Sequence, residues 1–127
     1  MPFVAPPGWP REVPPPDAPG WEKRASGWLF DLLPGEYRQY DVLRRYPVLL
    51  ARFAADHVAG TLEAARLGWR TLRADTSGRG SGVEIPAHAV TAAMQAYERE
   101  GARMAVLQRE VAMVREALEG RRWVDRL

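Results

Sequence analysis

The sequence predicts an all-α protein built on a long antiparallel two-helix coiled-coil hairpin, with an additional N-terminal helix and a Pro-rich extended N-terminal arm. Two long segments carry apolar residues at alternating steps of three and four, and glycines and serines between them favour a turn. Eight of the eleven prolines fall within the first twenty residues, a density that favours polyproline II. We therefore divide the chain into an arm, 1–20, and a helical domain, 21–127.

The arm repeats the tripeptide Pro-Gly-Trp and offers two indoles as anchors. Twelve residues separate Trp9 from Trp21, a whole number of polyproline II turns, so a continuous helix would place both rings on one side. The glycine before each indole works against that ideal geometry. We favour attachment of the arm to the protein's own helices, because prolines have little freedom to lose on ordering. Docking onto another protein is one alternative, with candidate partner-binding residues Pro7, Trp9, Pro14, Pro15, Pro16 and Trp21, and disorder without a role is the other.

Prolines outside the arm mark the ends of helices. A proline suits the first turn of a helix, because its missing N–H would have no intrahelical partner there. Helices are therefore predicted to begin near Pro47 and Pro86, and one to end before Pro34. The segment PGEYRQY is predicted to be a turn, and DVLRRY a short helical segment. The predicted helices cover about 21–33, 47–75 and 86–119, with a flexible tip at 76–85.

The two long helices carry the strongest signal. A repeat of 3.5 residues keeps one apolar stripe facing a partner if the helices supercoil, so the two stripes are expected to face each other. In that register Trp69 lies near Ala92 and Ala93. The first stripe is Val48, Ala51, Ala55, Val58, Leu62, Ala65, Trp69 and Leu72. The second is Val90, Ala93, Tyr97, Met104, Leu107, Val111, Val114 and Leu118, interrupted at Glu100.

Apolar residues beside these stripes call for a third layer, because a two-helix hairpin buries only one stripe per helix. The N-terminal helix and arm are one candidate for that layer. A second copy of the chain, giving a four-helix bundle with a self-complementary interface, is the other. The residues that need covering are Leu49, Leu50, Phe53, Met94, Val106 and Met113.

Composition excludes several classes of protein. The 18 basic residues, all but one of them arginine, nearly balance 16 acidic residues, which is a weak case for a polyanion partner. The chain has no cysteine, so disulfides, thiolate metal sites and a cysteine nucleophile are excluded. The first residues lack the apolar core of a secretory signal, and no stretch reaches the ~18 apolar residues of a membrane span. A cytoplasmic location without membrane contact is expected.

Few residues suggest chemistry. His57 and His88 lie on different helices without the converging ligands of a metal site, and Glu100 has no second acid, base or nucleophile. We interpret His57 as the edge of the core, His88 as exposed, and Glu100 as part of an ion pair or of a local shift that turns Gly101 inward. The glycines near the tip lack the Gly-Lys-Ser/Thr sequence of a phosphate-binding loop. We therefore predict a protein without cofactor or metal that is not an enzyme.

Arginines near the tip supply an alternative. Arg66 is expected to pair with Glu63 at helical spacing. The less compensated arginines, which could contact phosphates weakly and without sequence preference, are Arg70, Arg73 and Arg79. The first hypothesis is a small helical protein that acts in protein–protein interaction, scaffolding or as an accessory factor, with a protein partner or itself as a homo-oligomer. The alternative is a nucleic-acid-associated accessory factor that uses this basic tip.

Overall fold

The computed structural model describes residues 4–77 and 84–124, and over these residues the chain is mostly helical and has no β-strand. The two long helices, α3 and α4, pack against each other. The helices in chain order are α1 (Trp21–Asp31), a 3₁₀ helix (Gly35–Gln39), α2 (Asp41–Arg45), α3 (Pro47–Asp75) and α4 (Ala87–Leu118).

The long helices have the predicted extents to within one residue at each end, but α1 is shorter than the predicted 21–33. It stops at Asp31 because the backbone N–H groups of Leu32 and Leu33 bond three residues back, to the carbonyls of Leu29 and Phe30. Pro34 then has no N–H with which to continue a helical ladder. The predicted end of this helix was therefore two residues too late.

Helix α4 begins one residue after the predicted start. Pro86 precedes the helix, and its carbonyl accepts the N–H groups of Ala89 and Val90. At the other end Gly120 adopts φ +109°, and its N–H bonds to Ala117, as expected for a glycine that stops a helix. The segment predicted as a turn at PGEYRQY is a 3₁₀ helix, and the short helical segment after it is α2. Most of the predicted tip, positions 78–83, lies outside the described residues.

The described chain divides into two compact units. Ala59–Val106 is one, which we call the hairpin unit, and the described residues on either side of it form the other, which we call the capped unit. Most of the buried apolar side chains belong to the capped unit. They come from the arm, α1, α2, the first part of α3 and the last part of α4: Val13, Trp21, Ala25, Trp28, Leu29, Phe30, Leu33, Leu43, Leu50, Ala51, Ala54, Val58, Val111, Val114 and Ala117.

The apolar stripe of α3 shifts within the capped unit. Val48, predicted to be buried, is 41% exposed, whereas Leu50 and Ala54 are fully buried. The prediction was wrong at Val48 because it assumed one facing helix. Here α1, α2 and the arm share the same core, so the buried sector of α3 is wider than one seam and is rotated toward Leu50.

In the hairpin unit the buried apolar residues of the described chain are Leu62, Ala65 and Met104. Gly101 faces Ala65, since a Cβ built on the glycine would lie 4.0 Å from the Ala65 Cβ. This is the predicted inward turn of Gly101, and it leaves Glu100 exposed in an ion pair with Arg103 at 2.8 Å. Both parts of the structural interpretation of Glu100 are confirmed.

The register differs from the predicted one by about one helical turn. Trp69 lies beside Glu98, not near Ala92 and Ala93, and its indole N–H donates to the Glu98 carboxylate at 3.0 Å. Gly68 explains the difference. A Cβ at this position would overlap the Tyr97 ring, so the glycine admits the ring against the backbone of α3. The spacing of apolar residues does not reveal this space beside Gly68, because the pattern is defined by the positions of large side chains.

Candidate interaction surfaces

The described part of the arm is a series of turns that contacts its own unit, not a single extended helix. Gly8, Asp17 and Gly20 all have left-handed backbone angles, with φ of +87°, +73° and +73°, so a continuous polyproline helix does not form, and two of these residues are the glycines that were expected to work against it. A Cβ at Gly8 would lie 3.3 Å from the Cε of Met113, so the backbone passes close to α4. These turns bury Pro10, Val13 and Pro16.

Trp9 is held at both ends of its indole. Its Nε1–H donates to the Val13 carbonyl at 2.9 Å, and its ring meets Trp123 edge to face, with centroids 5.9 Å apart. The Val4 N–H also donates to the carbonyl of Trp123 at 3.0 Å. Trp123 therefore packs on the arm.

Asp17 and Arg122 form the main polar link between the arm and the segment after α4. Arg122 donates to both carboxylate oxygens of Asp17, at 2.8 and 3.0 Å. It also donates to the carbonyl of Ala117 at 2.7 Å and lies 5.2 Å from the centroid of the Trp21 ring. The hydrogen bonds from Arg122 lower the pKa of Asp17, and those to Asp17 raise the pKa of Arg122.

The carboxylate of Glu110, on α4, has its pKa shifted in the opposite direction. Burial raises the pKa of Glu110, and the negative charge of Glu12 in the arm adds to that effect. The ionised form of Glu110 is thus disfavoured where the arm passes it. The arm carries one charged contact that holds it and one that repels it.

The candidate partner-binding residues of the arm and of the start of α1 differ in their exposure to solvent. Pro16 and Trp21 are buried, so a partner could reach neither without displacing the arm. Trp9 and Pro14 are half-buried, whereas Pro7 and Pro15 are exposed.

An exposed aromatic surface lies in the capped unit, formed by the 3₁₀ helix, α2 and the start of α3. Tyr37 is at its centre: its ring centroid is 5.8 Å from that of Tyr40, 6.4 Å from Phe53 and 6.5 Å from His57. The rings of Tyr40 and Phe53 meet it edge to face. His57 is half-buried, which agrees with its interpretation as an edge of the core.

Helix α3 extends this surface along one side. Tyr46 directly precedes this helix, and Leu49 and Phe53, four residues apart on it, have side chains on the same helix face. Their exposed fractions are 53%, 39% and 43%, and Tyr40 is 48% exposed. We call Tyr37, Tyr40, Tyr46, Leu49 and Phe53 the aromatic face. Sequence reasoning marked Leu49 and Phe53 as in need of cover, but it missed the tyrosines, which lie in segments that have no apolar periodicity.

Charges of both signs surround the aromatic face. Between positions 31 and 45 the chain carries three arginines and three acids, and five of these six residues form exposed ion pairs. Arg38 pairs with Asp31 at 2.7 Å, and Asp41 is shared by Arg44 at 3.5 Å and Arg45 at 3.3 Å.

A second surface feature is an open groove of about 310 Å³ in the hairpin unit. Trp69, which is 43% exposed, and Tyr97 supply its aromatic surface, and Arg66 and Arg70 supply positive charge. Arg66 forms the predicted ion pair with Glu63, at 2.9 Å. The groove was not foreseen, because Trp69 and Tyr97 were both assigned to buried stripes.

The candidate phosphate-contact residues divide between described and undescribed parts of the chain. Arg70 and Arg73 are exposed on the last turns of α3. Neither forms an ion pair with a described residue. Arg79 lies outside the described residues, as does most of the tip. The structure therefore brings Arg70 together with the aromatic groove and leaves Arg73 beyond its lining residues.

Comparisons with known proteins give no assignment: no family model, curated protein or solved structure matches this chain. Among the described residues no cluster of histidine and acidic side chains has the arrangement of a metal site, and His88 is exposed in the first turn of α4. None of the described helices is long and apolar enough to cross a membrane. The two surfaces themselves are therefore the basis for a functional proposal.

Proposed function

We propose that this chain is a small cytoplasmic helical protein that acts through protein–protein interaction, and that it associates with itself through the aromatic face. In this proposal α3 and α4 form an antiparallel hairpin. The pairing of Ala65 with Gly101 and of Gly68 with Tyr97 supports that direction, since residue numbers rise along one helix as they fall along the other.

The observation that carries the proposal is the exposure of large apolar side chains on the aromatic face. Aromatic residues present on the order of 150–250 Å² each, so four side chains near half exposure leave roughly 400 Å² of the face uncovered. That is within the range of the largest apolar patch of a monomer, ~300–600 Å², and such patches mark interaction sites. A standard interface takes about 800 Å² from each partner, so the aromatic face would supply about half of the area needed and polar residues around it the rest.

The charges at the rim favour a second copy over a strongly charged partner. Because three arginines and three acids lie there, the rim has no net charge, and two copies related by a twofold axis can place opposite charges next to each other. Interface cores are enriched in tyrosine and phenylalanine and depleted in charge, which matches the composition of this face.

Light scattering coupled to size exclusion tests the proposal. We expect the full chain to be a dimer at micromolar concentration and Leu49→Asp to be a monomer, because the new carboxylate would lie unpaired at the centre of the interface. Leu67→Asp is the matched control: it changes the same residue type on the same helix, and Leu67 is 53% exposed but outside the aromatic face. This variant should remain dimeric.

Two results would overturn self-association. One is a full chain that stays monomeric up to concentrations of about a hundred micromolar. The other is a dimer that Leu67→Asp dissociates and Leu49→Asp does not, since the interface would then lie elsewhere. Circular dichroism spectra that match the parent establish that each variant is folded.

Contact with nucleic-acid phosphates is the second candidate function, and the observation that favours it is Arg70 beside the exposed indole of Trp69. Arginine next to an aromatic ring is a combination that binds phosphate and stacks on bases. A gel shift with single-stranded DNA that persists at physiological salt, and that Arg70→Gln weakens, would support this function. No shift even at low salt would exclude it.

A further inference from the structure

We infer that the groove of the hairpin unit is a binding site for a small aromatic anion, a planar ring that carries a phosphate or carboxylate. Its lining residues belong to the hairpin unit, whereas the aromatic face belongs to the capped unit, and the inference does not rest on self-association. Its lining residues combine a fixed indole, a phenol ring and a guanidinium group that has no described ion-pair partner.

The groove has room for one small molecule. Its volume of about 310 Å³ is at the lower end of the ~300–1,000 Å³ of small-molecule sites. Two glycines create this room. Gly68 gives space to the Tyr97 ring, and Gly101 contributes no side chain to the lining opposite Ala65.

The indole of Trp69 is exposed but fixed in orientation. Its Nε1–H donates to Glu98 at 3.0 Å, which holds the ring plane in place while 43% of the residue stays accessible. A ring held in this way offers a stacking surface that loses little side-chain entropy when a ligand arrives. A planar aromatic ligand is the chemistry that suits it.

The charges select an anion. Arg66 and Arg70 line the groove one turn apart, and Glu98 is the acidic residue among the lining side chains. Arg66 is already paired with Glu63, so Arg70 is the guanidinium whose charge no described carboxylate neutralises. Glu98 opposes the ligand charge, but its carboxylate is needed as the acceptor for the indole N–H.

Nuclear magnetic resonance of the indole N–H groups, with adenosine monophosphate as the probe, tests the site. The chain has five tryptophans, and Trp69→Phe identifies the signal of interest by its disappearance. We expect adenosine monophosphate to shift the Trp69 signal in a saturable way, adenosine to bind at least about fivefold more weakly, and inorganic phosphate alone to leave the signal in place.

Three variants locate the charge that matters. Arg70→Gln should weaken binding by about fivefold or more, whereas Arg73→Gln, one turn further along α3 and outside the groove, should change it less than about twofold. Glu98→Gln keeps an acceptor for the indole and removes the opposing charge, so it should tighten binding by about twofold. A purely structural role for Glu98 predicts no such gain.

Binding that Arg70→Gln leaves unchanged, or adenosine that binds as tightly as its monophosphate, would overturn the anion site. A free mononucleotide and a nucleic-acid strand share this chemistry, so a single-stranded oligonucleotide is titrated in parallel. If its affinity rises with strand length and depends on Arg73 as much as on Arg70, the small-ligand site is wrong and the surface belongs to a nucleic-acid-binding protein.

Discussion

The capped unit and the hairpin unit use the same two helices and reach different degrees of burial. In the capped unit the arm and α1 share a core with α3 and α4, and residues such as Leu29, Leu50 and Val111 are fully buried. In the hairpin unit the buried apolar side chains of the described chain are only Leu62, Ala65 and Met104, and Trp69 is exposed.

The difference shows what a third layer contributes. A helix pair buries one stripe on each partner, and further apolar residues stay in contact with water unless another segment covers them. The arm passes close to Met113, and Leu50 is buried in the same unit, but Leu49 and Phe53 remain exposed there. Stability is therefore concentrated where the third layer lies, and exposed aromatic surface where it does not.

Removal of the arm should have the largest effect on the capped unit. Deletion of residues 1–20 removes Pro10, Val13 and Pro16 from the core, and each fully buried side chain of this size contributes ~1.5–3 kcal/mol. We expect a loss of about 5 kcal/mol in the free energy of unfolding, measured by urea denaturation.

The matched control for this deletion is Pro15→Ala, which changes an exposed proline next to a buried one. It should shift the free energy of unfolding by less than about 0.5 kcal/mol, as is usual for surface positions. A deletion variant as stable as the full chain would contradict the arm's role as a third layer.

Two neighbouring leucines separate the covered and uncovered sides of α3. Leu50→Ala should cost about 3 kcal/mol, because Leu50 is completely buried and the change leaves a cavity. Leu49→Ala, with 39% of the residue exposed, should cost less than about 1 kcal/mol. Thermal and urea denaturation of the two variants measure the difference, and equal losses would argue against the rotated stripe.

Two glycines on α3, both in the hairpin unit, should respond differently to substitution by alanine. Gly60→Ala has open space around its new Cβ and should stabilise the helix by about 0.5–1 kcal/mol. Gly68→Ala meets the Tyr97 ring, so the same gain is opposed by displacement of the ring, and this variant should be about 1 kcal/mol less stable than Gly60→Ala.

Tyr97→Ala tests whether the Tyr97 ring is the reason that Gly68→Ala is less stable than Gly60→Ala. In the double variant the new methyl group has no ring to displace, so Gly68→Ala should become as stabilising as Gly60→Ala. If the two glycine variants behave alike in the presence of Tyr97, the close approach of ring and backbone is wrong.

The charged contacts of the arm should have the smallest effects, and pH separates them. The pKa of Asp17 is lowered in the folded state, so its contribution to stability is present at neutral pH and is lost as the pH falls through that lowered value. Asp17→Asn should lower the melting temperature at pH 7, with the gap closing below about pH 4. Asparagine tolerates the left-handed backbone at this position, which makes it the appropriate replacement.

Glu110 should show the opposite sign. Its pKa is raised in the folded state, so the folded chain is favoured at low pH, and stability is lost as the pH rises through the raised value. Glu110→Gln should therefore raise the melting temperature slightly at pH 7 and have no effect well below about pH 4. Melting curves of parent and variant across this range decide it, and a variant less stable at pH 7 would contradict the repulsion from Glu12.

Much of the helical framework was predictable from local chemistry. Pro47 marks the first residue of α3, Pro86 directly precedes α4, and Gly120 follows its end. These positions follow from backbone constraints that each residue carries by itself. The predicted end of α1 was less accurate. The N–H groups of Leu32 and Leu33 bond to carbonyls three residues back, and no side chain in the sequence indicates this tighter pattern.

The candidate surfaces were predictable only in part. Leu49 and Phe53 lie beside the predicted apolar stripe, so the sequence indicated that another segment must cover them. In the structure both are exposed and belong to the aromatic face. Trp69 was misassigned, because large apolar residues at heptad positions are normally buried. Gly68 leaves space for the Tyr97 ring, and Glu98 accepts the hydrogen bond of the Trp69 indole. Both features change the surroundings of Trp69, and both depend on how α3 and α4 are aligned.

The sequence by itself determined an all-α chain, the extents of its two long helices to within one residue, and the absence of cysteine chemistry. Each of these follows from residue type or from spacing along one helix. Tertiary structure alone decided that Asp17 meets Arg122, that Trp9 meets Trp123, and that the tyrosines around Phe53 gather on one exposed face. Such contacts join residues far apart in the chain. Their formation depends on which segments pack against each other, and local sequence patterns do not distinguish between the alternative packings.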